Sequence, residues 1–306
     1  MVDFVPAERS TTIRQPSTAN LMVASQDRRN WNFTGLTNPF NFQITRSNSI
    51  LNGFFTRIGT TELVLNWFQP NIYDASNNPF GTLTSTNNFS VDISGGPHDG
   101  VVPITLPVGF YTAKQVIDCI VKELNAATAP GVFSVNTTLC TGVSIDISGA
   151  TYSIQGGSEL PWMLGVIPYG QQNTAYATSH IITKPDIRPL EYIDFVSSQL
   201  TYNQALKDSS TNQNIKDVLA RWYFAYDQPP QVDAYGFPIL MGYTPFVLRR
   251  TFSPAKQIRW DSQQPVGNIA FECYATTTYT YGITYQPLVL ADNETNWLMT
   301  LQVSEV

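Results

Sequence analysis

The sequence predicts an all-β antiparallel sandwich carrying one amphipathic helix. Three observations lead there. Short stretches in which apolar and polar residues alternate are separated by Gly-, Pro- and Asn-rich turns, the pattern of half-buried strands. Roughly fifteen such stretches run along the chain, the number and spacing expected of sandwiches rather than of βαβ folds. Only residues 113–126 show the 3.6-residue period of a helix.

Residues 1–45 lack a sustained period of either kind and contain Pro6, Pro16 and Pro39 among Ser, Thr, Asn and Arg. They read as an extended N-terminal arm ordered by a partner, so that deleting residues 1–40 should leave a folded sandwich. Strands are expected at 50–57 and 61–69, where Leu63, Leu65 and Trp67 alternate with Glu62, Val64 and Asn66. Phe89, Val91 and Ile93 mark another strand, stopped by Gly95, Gly96 and Pro97. In the helix, Thr112 is a good N-cap with Gln115 three residues on, and Val116, Ile117, Ile120, Val121 and Leu124 share one face. Val143, Ile145 and Ile147 then alternate with polar residues, and Tyr152 and Ile154 read as the second arm of a hairpin across Ser148, Gly149 and Ala150.

The chain is organised around Leu190 to Tyr226. Its first strand brings Tyr192, Phe195, Val196 and Leu200, with Ser197, Ser198, Gln199 and Thr201 suited to a half-exposed sheet surface. After a polar loop, Val218 to Tyr226 is a nearly continuous apolar run interrupted by Arg221, expected to be buried on both faces. Further strands are expected near 246–253, 256–261, 266–275, 279–286 and 297–303. No internal repeat of fixed period occurs.

Composition narrows the function. Hydrophobic residues make up 42% but charged residues only 13%, about half the usual globular share. Such a surface forms hydrogen bonds rather than ion pairs, which suits burial against other protein. The formal net charge of -6 argues against strong nucleic-acid binding, which needs clustered Lys and Arg. In the arm, Arg9, Arg14, Arg28 and Arg29 are nearly balanced by Asp3, Glu8 and Asp27. Cys119, Cys140 and Cys273 have no CxxC spacing and read as buried thiols. The N-terminus has no apolar h-region and no membrane span is expected, which predicts a soluble chain without a secretory signal. Sequons at Asn32, Asn88, Asn136 and Asn293 are then incidental.

Little here suggests catalysis. His98 and His180 fall in separate loop-like segments and are expected at the surface, too few for a metal centre. No cofactor is expected, and G-x-S-x-G, Walker and H-E-x-x-H motifs are missing from the sequence. Asp92, Asp194, Asp227 and Glu272 lie in or near strands and could supply a glycosidase pair, although single hydrogen-bonded acids are the commoner outcome. Tyr274, Tyr279, Tyr281 and Tyr285 could form a sugar-stacking ladder, or simply a strand suited to an edge or interface. Catalytic, cofactor-binding and metal-binding residues are therefore expected to number none.

Ile104 to Leu124, ITLPVGFYTAKQVIDCIVKEL, resembles a motif widespread in capsid proteins of large DNA viruses, virophages and Polinton-type elements. A strand ends at Leu106-Pro107, Gly109 permits a turn, Tyr111 packs beneath it and Thr112 caps a helix. Downstream, LPWMLGV at 160–166 is similar to the Leu-Gly step that follows this helix in the same proteins, and YIDFVSSQLTYNQALKDSS with VLARWYF resembles their next segment. The three motifs stand in the right order over about 104–226. They resemble the single jelly-roll minor capsid, or penton, protein of virophages and Polinton-like viruses; the double jelly-roll major capsid proteins of these lineages are much longer.

The resemblance implies an antiparallel jelly-roll sandwich of eight strands, so the excess predicts an inserted β subdomain. The expected division is an arm over 1–45, the jelly roll over 46–99 and 186–306, and the insertion over 100–185. It further implies a non-enzymatic virion protein, a homo-oligomer of five copies closing icosahedral vertices beside major capsid capsomers. The alternative is a carbohydrate-binding sandwich or receptor-binding spike subunit, with a glycosidase third.

Overall fold

The computed structural model describes residues 18–26, 38–45, 57–74, 85–139, 142–168, 171–188, 190–201, 218–224, 231–239, 246–253, 257–259, 267–276, 285–288 and 295–304. Two five-stranded sheets enclose the larger core. The first has the order β1 (Thr18–Ala24), β16 (Asn296–Ser304), β3 (Arg57–Trp67), β12 (Phe246–Thr251), with β13 (Gln257–Arg259) also paired to β3. The second has the order β11 (Val218–Tyr223), β10 (Tyr192–Val196), β14 (Asn268–Thr276), β15 (Tyr285–Pro287), with β2 (Asn41–Thr45) also paired to β14.

Pairing identifies the topology. Apart from the three-residue β13 and β15, eight wall strands remain in chain order: the first pairs with the eighth (β1 with β16), the second with the seventh (β2 with β14), the third with the sixth (β3 with β12) and the fourth with the fifth (β10 with β11). That is one long antiparallel hairpin. Rolling it up creates two new pairs, β16 with β3 and β14 with β10, and gives a jelly roll. Alternation supplies its driving force: Leu63, Leu65, Trp67, Trp297, Met299, Leu301 and Val303 from one sheet meet Phe42, Ile193, Phe195, Trp222, Ile269, Phe271 and Cys273 from the other. Trp297 lies 5.5, 5.1 and 5.6 Å, ring centre to centre, from Phe42, Phe195 and Phe271, within the range of favourable aromatic pairs. Its indole donates to the Pro39 carbonyl at 2.8 Å.

Between the third and fourth wall strands the chain builds a second, separate core. Here β4 (Asn88–Ser94) pairs with β5 (Gly100–Thr105) and β8 (Thr151–Gln155), while β7 (Val143–Ile147) pairs with β6 (Phe133–Asn136) and β9 (Ser179–Ile182). Helix α1 (Ala113–Ala127) buries Ala113, Val116, Ile117, Ile120 and Leu124 against them, and the one-turn α2 (Leu160–Met163) adds Leu160 and Met163. The capping box forms with both of its hydrogen bonds: Gln115 N donates to Thr112 Oγ1 at 3.2 Å and Thr112 N to Gln115 Oε1 at 2.8 Å. Ahead of it, a Cβ on Gly109 would stand 3.1 Å from the Tyr111 ring. Glycine is favoured there by that ring's closeness rather than by a turn dihedral.

Several expectations change. The stretch 1–45 contributes β1 and β2, one to each wall, so within 18–24 and 41–45 it is sheet and not an arm; β1 is short and exposed at its start, which hid its period. Ser148–Ala150 does not join a hairpin, because β7 and β8 pair into different sheets, and Gly149 (φ 73°) turns the chain between them. Residue 100 opens β5, whose hairpin partner β4 lies before the expected boundary, so a division there would split a ladder from Asn88 to Thr105. In the central stretch β10 stops at Val196, and Ser198–Thr201 forms a helical turn, α3. Of β10 all but Tyr192 is buried, whereas β11 is an edge strand with Tyr223 exposed. Residues 50–56, 225, 226, 256, 260, 261, 266 and 279–284, assigned above to strands, lie outside the described residues.

Two crossings connect the cores. Ile72 is buried in the inserted core while its neighbour Tyr73 is buried in the sandwich. On the return, Ile187 belongs to the inserted core and Leu190 to the sandwich. Between them Arg188 holds Asp186 with Nε and Nη2 and donates from Nη1 to the Phe224 carbonyl at 2.7 Å.

Candidate functional site

The outer face of the second sheet carries the most concentrated polar chemistry. Strand alternation turns Tyr192, Asp194, Arg221, Tyr223, Glu272 and Tyr274 away from the core, and register sets Asp194 opposite both Arg221 and Tyr274. Arg221 grips Asp194 with two bonds, Nε to Oδ1 at 2.6 Å and Nη2 to Oδ2 at 2.8 Å. Its guanidinium lies 4.0 Å from the Tyr192 ring centre and 5.7 Å from that of Tyr223, whose hydroxyl accepts from Nη1 at 3.3 Å. The hydrogen bonds to Asp194 hold Arg221 still more firmly protonated than usual, against the opposing effect of burial. Asp194 is thereby covered to 1% exposure.

These contacts decide the glycosidase reading. Asp194 is engaged by a cation, and Glu272 accepts from the Tyr274 hydroxyl at 2.7 Å. Asp92, in the other core, accepts from the Tyr176 hydroxyl. Asp227 lies outside the described residues. Asp194 and Glu272 thus share the outer face of the second sheet, each held by its own partner, and Asp92 lies on a different sheet. Of the proposed aromatic ladder, Tyr274 is half-buried with its hydroxyl committed, and Tyr279 and Tyr281 lie outside the described residues; Tyr285 begins β15.

The histidines do not meet. His98 occupies the turn between β4 and β5, whereas His180 is a half-buried residue of β9, not a surface loop. Its Nε2 donates to the Tyr152 carbonyl at 2.9 Å and its ring stands edge-on to that of Tyr152 at 4.5 Å. Burial lowers its pKa, against the opposing effect of that hydrogen bond. Cys273 is buried and Cys119 half-buried; desolvation raises both thiols, so neither is an activated nucleophile. Cys140 lies outside the described residues. Among the described residues no three His, Cys, Asp or Glu side chains gather to hold a metal.

Among the described residues is a groove large enough for a ligand. It encloses ≈ 780 Å3 where the return crossing meets a loop of the sandwich, lined by Thr137, Val143, Lys184, Asp186, Tyr235 and Pro238. By contrast, a void of ≈ 10 Å3 in the inserted core, walled by Ile120, Leu124, Tyr152 and Ile154, is apolar and admits nothing beyond a single water. The outer face of the first sheet differs again: Met22 and Val247, each 64% exposed, flank half-buried Leu298 and Val64. The ion pair Arg249–Glu62 lies beside them.

Comparison with known proteins follows from this geometry. The chain is similar in structure to a virophage penton protein. Mavirus penton protein aligns over 95% of this chain and 100% of its own, at 12% identity and a TM-score of 0.48. A chain of the Sputnik virophage structure aligns over 95% and 98%, at 13% identity and a TM-score of 0.44. No family model matches the sequence, and no curated protein does. No helix among the described residues is long and apolar enough to cross a membrane.

Proposed function

We propose that the chain is a non-enzymatic shell subunit, a minor capsid protein of a DNA virus or virophage, five copies of which close each five-fold vertex beside the major capsid capsomers. The observation that carries this reading is the coincidence of motif and place. The capsid-like segment Ile104–Leu124 forms the strand end, turn and capped helix of a subdomain set into a jelly roll, and its third motif supplies β10 and β11, the wall strands that follow the insertion. We take that subdomain to lie between the two crossings, within residues 72–187, rather than over 100–185.

A ring of five requires two different contact patches per subunit. The sandwich offers candidates on its opposite outer faces: an aliphatic one around Met22 and Val247, and a tyrosine-rich one around Arg221. The charges at each are already paired within the subunit, Arg221 with Asp194 and Arg249 with Glu62. Rigid walls would set the wedge angle and loops would meet the neighbours. Because β1 is part of a wall, any arm that ties into the shell interior is confined to residues before Thr18.

The test is the mass of the purified chain in solution and its position in particles. A ring of five, or density at vertices, is the expected result; a monomer that never enters particles overturns the proposal.

A further inference from the structure

Residues 231–239 lie in the connection from β11 to β12, yet they pack on the inserted subdomain. Val232 bridges Pro238, and Ile239 N donates to the Gln231 carbonyl at 2.7 Å, so the segment is a small closed hairpin with Gly236 at its left-handed corner (φ 82°). Phe237 enters the inserted core and is 4% exposed.

Asp233 joins the hairpin to the helix. Its Oδ1 accepts from Tyr235 N at 2.9 Å and Phe237 N at 3.1 Å, which fixes the hairpin's shape. Its Oδ2 accepts from Lys114 N at 3.0 Å. That amide is in the first turn of α1, where backbone N–H groups lack helical partners and the helix dipole favours an anion. A carboxylate from another part of the chain therefore complements the helix's own Thr112 cap. Alongside, the Tyr235 hydroxyl donates to Asp118 Oδ1 at 2.5 Å, Lys114 pairs with Asp118, and the Lys114 ammonium sits 4.6 Å from the Tyr235 ring centre.

We propose that residues 231–239 are a strap that fastens the inserted subdomain to the sandwich, with Asp233 as the fastening, and that it can release while both cores stay folded. Among the described residues its attachment consists of the inserted Phe237 ring, the packed flank of Tyr235 and one cluster of polar contacts. The subdomain core otherwise draws on residues 72–187, and the strap residues Ala234 to Pro238 form a wall of the ≈ 780 Å3 groove. Release would thus open that groove without breaking a strand pair.

Hydrogen exchange on the full chain tests this. In Asp233→Ala the amides of Lys114, Tyr235 and Phe237 should exchange about tenfold to a hundredfold faster, the loss expected for charge-assisted hydrogen bonds. Protection in β3, β16, β4 and β7 should stay as in the parent chain. Asp233→Asn, which keeps an acceptor oxygen, should fall between the two. Unchanged exchange at those three amides overturns the fastening, and loss of protection in β4 and β7 along with them overturns the separable strap.

Discussion

Arg221 interrupts an otherwise apolar strand, and its partner explains why it is tolerated. Asp194 is fully covered and takes two bonds from it, so removing the arginine strands a carboxylate away from water. Losing one member of a buried pair costs about 3–5 kcal/mol; with Arg221 itself about a third exposed, Arg221→Ala should lose about 2–3 kcal/mol of unfolding free energy in urea. Asp194→Asn should lose less, since the guanidinium left behind can reach solvent. His180 gives a pH dependence with a definite sign. The folded state holds its imidazole neutral to a lower pH than the unfolded chain does, so it binds fewer protons near its unfolded pKa of about 6.5. The stabilisation is present above that pH and is lost as pH falls through the depressed folded value. Stability measured from pH 7.5 to 5 should therefore decline, and His180→Gln should flatten the decline; an unchanged slope in the variant rejects the assignment.

Among elements, α1 and the strands β3, β4, β14 and β16 were legible because periodicity and capping act locally. Thr112 and Gln115 needed no tertiary contact to be recognised, and Thr112→Ala should cost about 1 kcal/mol in a denaturant melt. What the sequence concealed was set by distant partners. β1 begins with three exposed residues and is recognisable only against β16, so residues 1–45 looked like an arm. β7 and β8 are three residues apart and read as a hairpin, but side-chain alternation cannot say which of two sheets a strand joins. The strap was invisible because Asp233 has meaning only beside α1. Correcting the arm reverses a prediction: deleting residues 1–40 removes β1, Val23 and Phe40 from the core and the Ser25 hydroxyl that accepts from Trp297 N at 2.9 Å. The truncated chain should be insoluble or lose its cooperative melt; a soluble, cooperatively folded product would contradict the wall role of β1.

On the scale of the whole molecule, the jelly roll is defined by pairs of extreme sequence separation, such as the Ser25 hydroxyl donating to Asn296, whereas the inserted core draws on 72–187 apart from Phe237 and Tyr235 of the strap. Loop-closure entropy makes the distant pairs slower to form. Pulse-labelled exchange during refolding should show β4, β7 and α1 protected before β1 and β3; simultaneous protection would argue against independent closure of the two cores. The position of β16 carries this further. It is the last strand in chain order, yet it sits in the middle of its sheet, flanked by β1 on one side and β3 on the other. Until Asn296–Ser304 dock, β1 lacks its partner in this sheet, β3 is paired on one side alone, and the aliphatic face is split between Met22 and Val64. A contact between copies through that face, as proposed above, would therefore have to follow the docking of β16 and the closure of the sandwich.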